Sequence, residues 1–397
     1  MDAVKLRAWW AHRQGLDGSL AAAAPASVLA RTGWARSVGG VNPYLQMFSR
    51  AGIRREEADA AMAELAIHEL PSARGCVYVL PAADFAVALR VGESGALPDV
   101  ATCEKLGVPR AEIDKLCAAV LDALDEAGGP LAPKDIREIV GEMARDLGEA
   151  GKKKGLTSTL PVALGLLQAS GDVRRVPIGG RLDVQRYRYV RWSPSPLAGV
   201  APTAEEARAQ LALRYWAWTG GASMAHFRWF SGFTAANAKA AVQELHLVPL
   251  EGDLLAFPED ADAYAEFSPP SEPRYSLVSW LDGLTLLRRD LPSVLDPADA
   301  ERQLPAPISM TTLSGLGDLP AQGIFDRGRL VGLWEYDTDE QRVVWVSFGP
   351  DDDGLRAAVA ETERFVRDDL GDAKGSSLDN PAKRKPRLAA LREYAGS

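Results

Sequence analysis

Between Lys152 and Arg191 the chain carries nine basic residues, Lys152, Lys153, Lys154, Arg174, Arg175, Arg181, Arg186, Arg188 and Arg191, and two acidic ones, Asp172 and Asp183. The formal net charge of the 397-residue chain is −9, so this stretch opposes the global sign. The partner that best rewards such a cluster is a phosphate backbone, because each neutralised phosphate releases counterions. The patterning around the cations fits that use. A helical run over Thr157–Ala169 ends at Gly171, and two strand-forming runs, Val173–Ile178 and Leu182–Val190, are joined across Gly179-Gly180. A helix followed by a basic hairpin is the pattern of a winged helix. Alternation along the second run puts Arg186 and Arg188 on one face and Tyr187 and Tyr189 on the other. Lys152-Lys153-Lys154-Gly155 precedes a helix start, whose free N–H groups also suit phosphate. A merely solvated charged face is the competing reading.

Other chemistries have less to stand on. Cys76, Cys103 and Cys117 have no paired spacing, which argues against a disulfide framework and a Cys-based zinc site. His12, His68, His226 and His246 are scattered without ligand spacing. No metal and no cofactor is expected. No apolar run approaches membrane-spanning length, and the first residues lack the apolar core of a signal peptide. The expectation is a cytoplasmic protein, monomeric by preference, with double-stranded DNA as its partner. Trp9, Trp10, Trp34, Trp216, Trp218 and Trp229 are read mainly as core, Trp34 being the best candidate for stacking on a base.

The elements that must position these residues recur loosely three times as helices followed by a hairpin. The first unit, 1–106, has helices over Asp2–Gln14, Pro25–Arg31, Pro43–Arg50 and Arg54–Leu65, then a hairpin over Ala66–Leu80. The second, 107–195, has helices over Ala111–Ala127, Pro133–Leu147 and Thr157–Ala169 before the basic wing. The third, 196–267, has helices over Thr203–Thr219, Ser223–Phe230 and Thr234–Leu245, then a hairpin, Leu247–Phe257, with Glu251 and Asp253 at its tip. Pro-rich linkers follow the second and third units. Residues 274–370 read as an antiparallel meander plus a helix over Leu355–Leu370, and 371–397 as a polar, disordered tail. The fold class is therefore mainly α with β-hairpins (α+β).

Several segments resemble the AlkZ/YcaQ-like winged-helix DNA glycosylases. These are His12-Arg13-Gln14-Gly15-Leu16, Ala73-Arg74-Gly75-Cys76-Val77-Tyr78-Val79-Leu80-Pro81, His226-Phe227-Arg228-Trp229-Phe230-Ser231-Gly232, Trp280-Leu281-Asp282 with Arg288-Arg289, and Gly328-Arg329-Leu330-Val331-Gly332-Leu333-Trp334. The resemblance implies three tandem winged helices in a C shape with a small β-rich C-terminal part, holding duplex DNA in the concave channel. It departs at the catalytic positions. The family carries Gln-x-Gln or Gln-x-Asp after the second helix, and the matching positions here are Arg36 and Val38. No Gln, Asp or Glu occurs from Ala30 to Val41.

Cleaving an N-glycosidic bond develops positive charge on the sugar, and the enzyme needs an acceptor to hold water there. Arg36 offers no acceptor and Val38 no polar atom. Arg36 is then either a DNA contact that has replaced catalysis or a surface arginine beside a Gly-rich turn. Asn42, Gln46 and Asp282 are the nearest alternative water-holders, each with a commoner structural role: Asn42 in a turn or cap, Gln46 solvated in mid-helix, Asp282 orienting an arginine. The function expected is duplex-DNA binding in DNA repair, recognising damaged or alkylated DNA, with glycosylase chemistry lost or altered. An active glycosylase with displaced catalytic residues is the first alternative, and a transcriptional regulator the second.

Overall fold

The structure, a computed structural model, describes residues 2–199 and 201–395. Helix α1 (Ala3–Arg13) is capped by Asp2, whose carboxylate accepts from the Lys5 N–H. Helix α2 (Pro25–Thr32) opens on proline, the residue whose fixed φ and missing N–H cost nothing in a first turn. A two-residue strand, β1 (Ala35–Arg36), follows. Helices α3 (Asn42–Ala51) and α4 (Arg55–Ala63) lead into β2 (Ile67–Pro71) and β3 (Val77–Pro81). The expected hairpin thus has a third strand: β1 pairs with β3, Ala35 opposite Val79 and Arg36 opposite Tyr78. Two residues carry too short a pattern to be read as a strand; only the partner β3 makes them one.

Helices α5 (Phe85–Gly92) and α6 (Leu97–Lys105) fill a stretch that carried no sequence assignment. Then come α7 (Arg110–Ala127), α8 (Pro133–Val140), α9 (Gly148–Lys152) and α10 (Leu160–Ala169). Helix α8 stops short of Leu147 because Gly141 adopts φ 55°. The basic hairpin pairs β4 (Val173–Pro177) with β5 (Tyr187–Arg191). Helices α11 (Ala204–Thr219), α12 (Met224–Ser231) and α13 (Ala235–Ala241) are each capped by a hydroxyl, from Thr203, Ser223 and Thr234. The short hairpin β6 (Val248–Pro249) and β7 (Leu255–Ala256) and helix α14 (Pro258–Glu266) complete this part.

The last part is a four-stranded antiparallel sheet in the order β11-β10-β9-β8, from β8 (Tyr275–Val278), β9 (Gln322–Asp326), β10 (Arg329–Asp337) and β11 (Arg342–Ser347). Helix α15 (Gly283–Leu286) follows β8, and α16 (Asp353–Phe365) follows β11. The fold is α+β, with small sheets set among helices.

The middle segment has a core of its own, built by Leu116, Leu124, Ile136, Leu164 and Val173. The first helices and the C-terminal sheet do not: Tyr44, Phe48, Ile53, Trp334, Phe365 and Leu370 share one core, in which the Phe48 and Phe365 rings stack at 3.9 Å. The first and last segments are joined by burial and not only by the chain.

The tail corrects the sequence expectation. Of 371–397, the last two residues lie outside the described ones; the rest folds, ending in α17 (Pro381–Ala395). Its basic run looks solvated in sequence but faces carboxylates of the sheet and of the segment that precedes the helix. Arg384 meets Asp372 at 2.6 Å, Arg387 meets Glu335 at 2.9 Å and Arg392 meets Asp337 at 2.7 Å. Leu388 and Leu391 are buried in the core beneath. Composition alone predicted disorder; the complementary acids are distant in sequence.

Candidate nucleic-acid interface

The stretch expected from the resemblance to hold the family's catalytic positions, Arg36 and Val38, lies on β1 and the turn after it. Arg36 turns its guanidinium back onto the fold, donating to the Val77 carbonyl at 2.8 Å and lying 5.5 Å from the Tyr78 ring centroid. Ser37 donates from its hydroxyl to the buried carboxylate of Glu69. The other Glu69 oxygen stands 3.1 Å from Arg175. Beyond Val38 the Gly39-Gly40 turn is crossed by a strap from the C-terminal part. Ser377 N–H donates to the Val38 carbonyl and Val41 N–H to the Lys374 carbonyl, both at 3.0 Å. A Cβ at Gly40 would sit 2.2 Å from the Gly375 carbonyl oxygen, so this backbone crossing requires glycine.

The three candidate water-holders are all buried. Gln46, expected in solvent, is fully buried and donates to the Gly33 carbonyl at 3.1 Å; its helix packs against α2, β1 and β8, which periodicity on α3 alone did not reveal. Asp282 binds Arg50 through both oxygens at 2.7 and 2.8 Å, with neither side chain exposed. Gln14 joins them, accepting from Arg50 at 3.1 Å and donating to the carbonyls of Thr32 and Trp218. Asp282 also caps α15 through the Leu284 N–H. Asn42 donates to the Arg36 carbonyl at 2.7 Å, while its Oδ1 has no hydrogen-bond partner.

The basic wing is divided. Its loop does not project freely: Leu182 enters the core under α3 and its N–H donates to the Tyr44 hydroxyl at 2.7 Å. Arg181 is held by Asp183 at 2.7 and 2.9 Å and by the Leu370 carbonyl. Arg175 faces Glu69 and lies 4.4 Å from the Tyr187 ring centroid. Lys152 pairs with Glu149 and Arg191 with Asp125. Arg181 and Arg175, expected at phosphates, are therefore engaged within the fold; their carboxylates lie off the run or too close in sequence to be read as partners. Lys153, Lys154, Arg186 and Arg188 are exposed and carry no ion pair among the described residues. Arg174 is half-buried, and desolvation lowers its guanidinium pKa. The wing's inner neighbour His68, buried between Phe85 and Trp192, has its pKa lowered to about 3 by burial and then by Arg174 and Arg175.

A second cationic surface escaped the sequence reading. Arg74, at φ 58°, stacks 4.0 Å from the Trp229 ring centroid, and Arg289 approaches the same ring at 5.6 Å. Three of the quoted segments thus converge on one tryptophan. Beside it a groove of about 600 Å³ is lined by Arg74, Arg90 and Arg208 with the buried hydroxyl of Ser72. Arg90 and Arg208 sit on α5 and α11, and nothing local marks them. Trp34 is core: its indole N–H donates to Asp84 at 2.7 Å.

Among the described residues no group of His, Cys, Asp or Glu is arranged to hold a metal ion, and no helix is long and apolar enough to cross a membrane. A profile described as DNA glycosylase AlkZ-like matches residues 39–377. The structure is similar to that of the Streptomyces sahachiroi DNA glycosylase AlkZ, with a TM-score of 0.67 and 18% sequence identity, covering 94% of this chain and 98% of that one. No curated protein matches the sequence.

Proposed function

Because the chain belongs to the AlkZ-like DNA glycosylase family, which ties it to DNA repair and DNA binding, we propose that it binds damaged duplex DNA without the family's base-excision chemistry. One observation carries the reading: the two positions that would hold the attacking water are Arg36 and Val38, and the turn beyond them is closed by the strap at Gly375. Arg36 supplies no acceptor, and its charge opposes an oxocarbenium ion. Asp282 is committed to its ion pair with Arg50, and Gln46 is fully buried with its amide N–H spent on the Gly33 carbonyl. Lys153, Lys154, Arg174, Arg186 and Arg188 supply the cations for phosphate, which position a protein without reading sequence.

Displaced catalysis is favoured by two unpartnered buried acceptors, Asn42 Oδ1 beside the Arg36 carbonyl and Gln46 Oε1. Incubation with methylated and with crosslinked duplex, assayed for abasic sites, separates the two. The expected outcome is binding without base release. Release by wild type that disappears in Asn42→Ala, with DNA affinity kept, would establish displaced catalysis instead.

A further inference from the structure

A cavity of about 300 Å³ opens between the C-terminal sheet, the strap and α17. Its lining joins three features that together suit a planar heterocycle. Trp280, half-buried, offers an aromatic face, held in place because Gly375 leaves no room: a Cβ there would lie 2.4 Å from the indole Nε1. Glu335 sits on the cavity wall, 3% exposed; one oxygen accepts from Arg387 at 2.9 Å, and the other, Oε2, has no hydrogen-bond partner. An unsatisfied buried carboxylate oxygen is costly unless a donor arrives. The remaining polar groups are engaged: Gln322 donates to the Ala373 carbonyl and accepts from the Trp280 N–H of the backbone, and Asp379 accepts from Gly375 N–H and from Arg387. The site therefore offers an aromatic surface and a lone acceptor.

We propose that this cavity binds a guanine base, stacked on Trp280 with its N1–H and amino edge directed at Glu335. Guanine fits because its Watson–Crick edge presents adjacent N–H donors, N1–H and the amino group, and no acceptor between them, so either can serve the one free oxygen, Oε2, without a lone pair facing it. Adenine presents one amino donor beside a ring acceptor, which would face the carboxylate lone pairs. Burial raises the Glu335 pKa, so the incoming donors also offset the cost of keeping that carboxylate ionised. The base can come from a free nucleoside or from a guanine unstacked from DNA. The inference does not depend on how the wing meets DNA.

The test is titration of the full chain with guanosine and with adenosine, followed by tryptophan fluorescence and calorimetry. Wild type should bind guanosine about tenfold more tightly than adenosine, the scale of one extra charge-assisted hydrogen bond. Trp280→Ala should weaken both nucleosides by about tenfold or more, the scale of one stacked base. Glu335→Gln should erase the preference for guanosine while leaving stacking. If Glu335→Gln fails to fold, Ser376→Phe, which fills the mouth of the cavity from the strap, should abolish binding with an unchanged melting temperature. A DNA hairpin bearing one extrahelical guanine, compared with the fully paired hairpin, decides the source: tighter binding that is sensitive to Trp280→Ala assigns the base to DNA, and equal binding assigns it to the free nucleoside. Absence of guanosine binding by folded wild type at millimolar concentration, or equal affinity for the two nucleosides, would overturn the proposal.

Discussion

Asp282→Ala tests whether this carboxylate is a support or a displaced catalyst. Its two oxygens hold Arg50 at 2.7 and 2.8 Å, and one also accepts the Leu284 N–H at 2.8 Å. Both side chains are fully shielded from solvent. Removing the acid leaves a guanidinium buried without its counter-charge, a loss of about 3–5 kcal/mol. Losing the cap on α15 adds about 1 kcal/mol. Against a total stability of about 5–15 kcal/mol, the variant should unfold at a much lower urea concentration, read by tryptophan fluorescence. Arg50→Met with Asp282→Leu removes both charges and should recover most of the loss, because the desolvation cost of the pair disappears with it. DNA affinity per folded molecule should stay at the wild-type value. An Asp282→Ala protein that unfolds at the wild-type midpoint would refute the support role, and one that is stable but loses base release would make Asp282 a catalyst.

Five cations of the basic segment, Lys153, Lys154, Arg174, Arg186 and Arg188, carry no ion pair among the described residues, so log K for duplex DNA against log salt should fall with a slope near −4 to −5; a slope near zero would remove the DNA-binding reading. Arg186→Ala with Arg188→Ala should weaken binding to all sequences alike at an unchanged melting temperature, measured by fluorescence anisotropy on random duplexes. Arg175→Ala should do the reverse, costing about 2–3 kcal/mol of stability by leaving Glu69 buried beside Ser37 with little loss of affinity. Buried His68, with a folded pKa of about 3 against an ordinary value near 6.5, binds fewer protons folded than unfolded between those values. Stability should therefore fall as pH drops through that window, by up to about 1.4 kcal/mol per unit, and His68→Phe should flatten the slope in acid-unfolding curves.

What the sequence made legible was local. The helix starts at Thr203, Ser223 and Thr234, the break at Gly171 and the meander over β9–β11 follow from neighbours within a few positions. What it hid was set by distant partners. Strand β1 exists because β3 receives it, Arg175 is drawn inward by Glu69, and the run from Lys383 to Arg387 is ordered by acids on β10 and in the strap. The candidate site divides in the same way. The absence of an acceptor at 36 and 38 was readable from residue types. The burial of Gln46 and the pairing of Asp282 with Arg50 were not, because their partners lie up to 232 positions away.

The closure of the Gly39-Gly40 turn gives those observations a common physical cause. A turn that admits a sugar-phosphate must leave its outer side open, and glycines there would serve the close approach of substrate. Here the approaching group is the chain's own Gly375 carbonyl, fixed by hydrogen bonds from Ser377 to Val38 and from Val41 to Lys374. The strap in turn is held through Arg384, which pairs with Asp372, and through Arg387, which reaches Asp379. The glycines thus serve a backbone crossing that links the first helices to the last, and Val38, with no polar atom to satisfy, suits a turn sealed in this way. A glutamine or aspartate at 38 would bring a polar group to a half-buried position on a clamped backbone. In the proposed reading the missing acceptor and the closed turn reinforce each other, so Arg36→Gln with Val38→Gln alone should not yield base release, and release by that double variant would count against the closure argument.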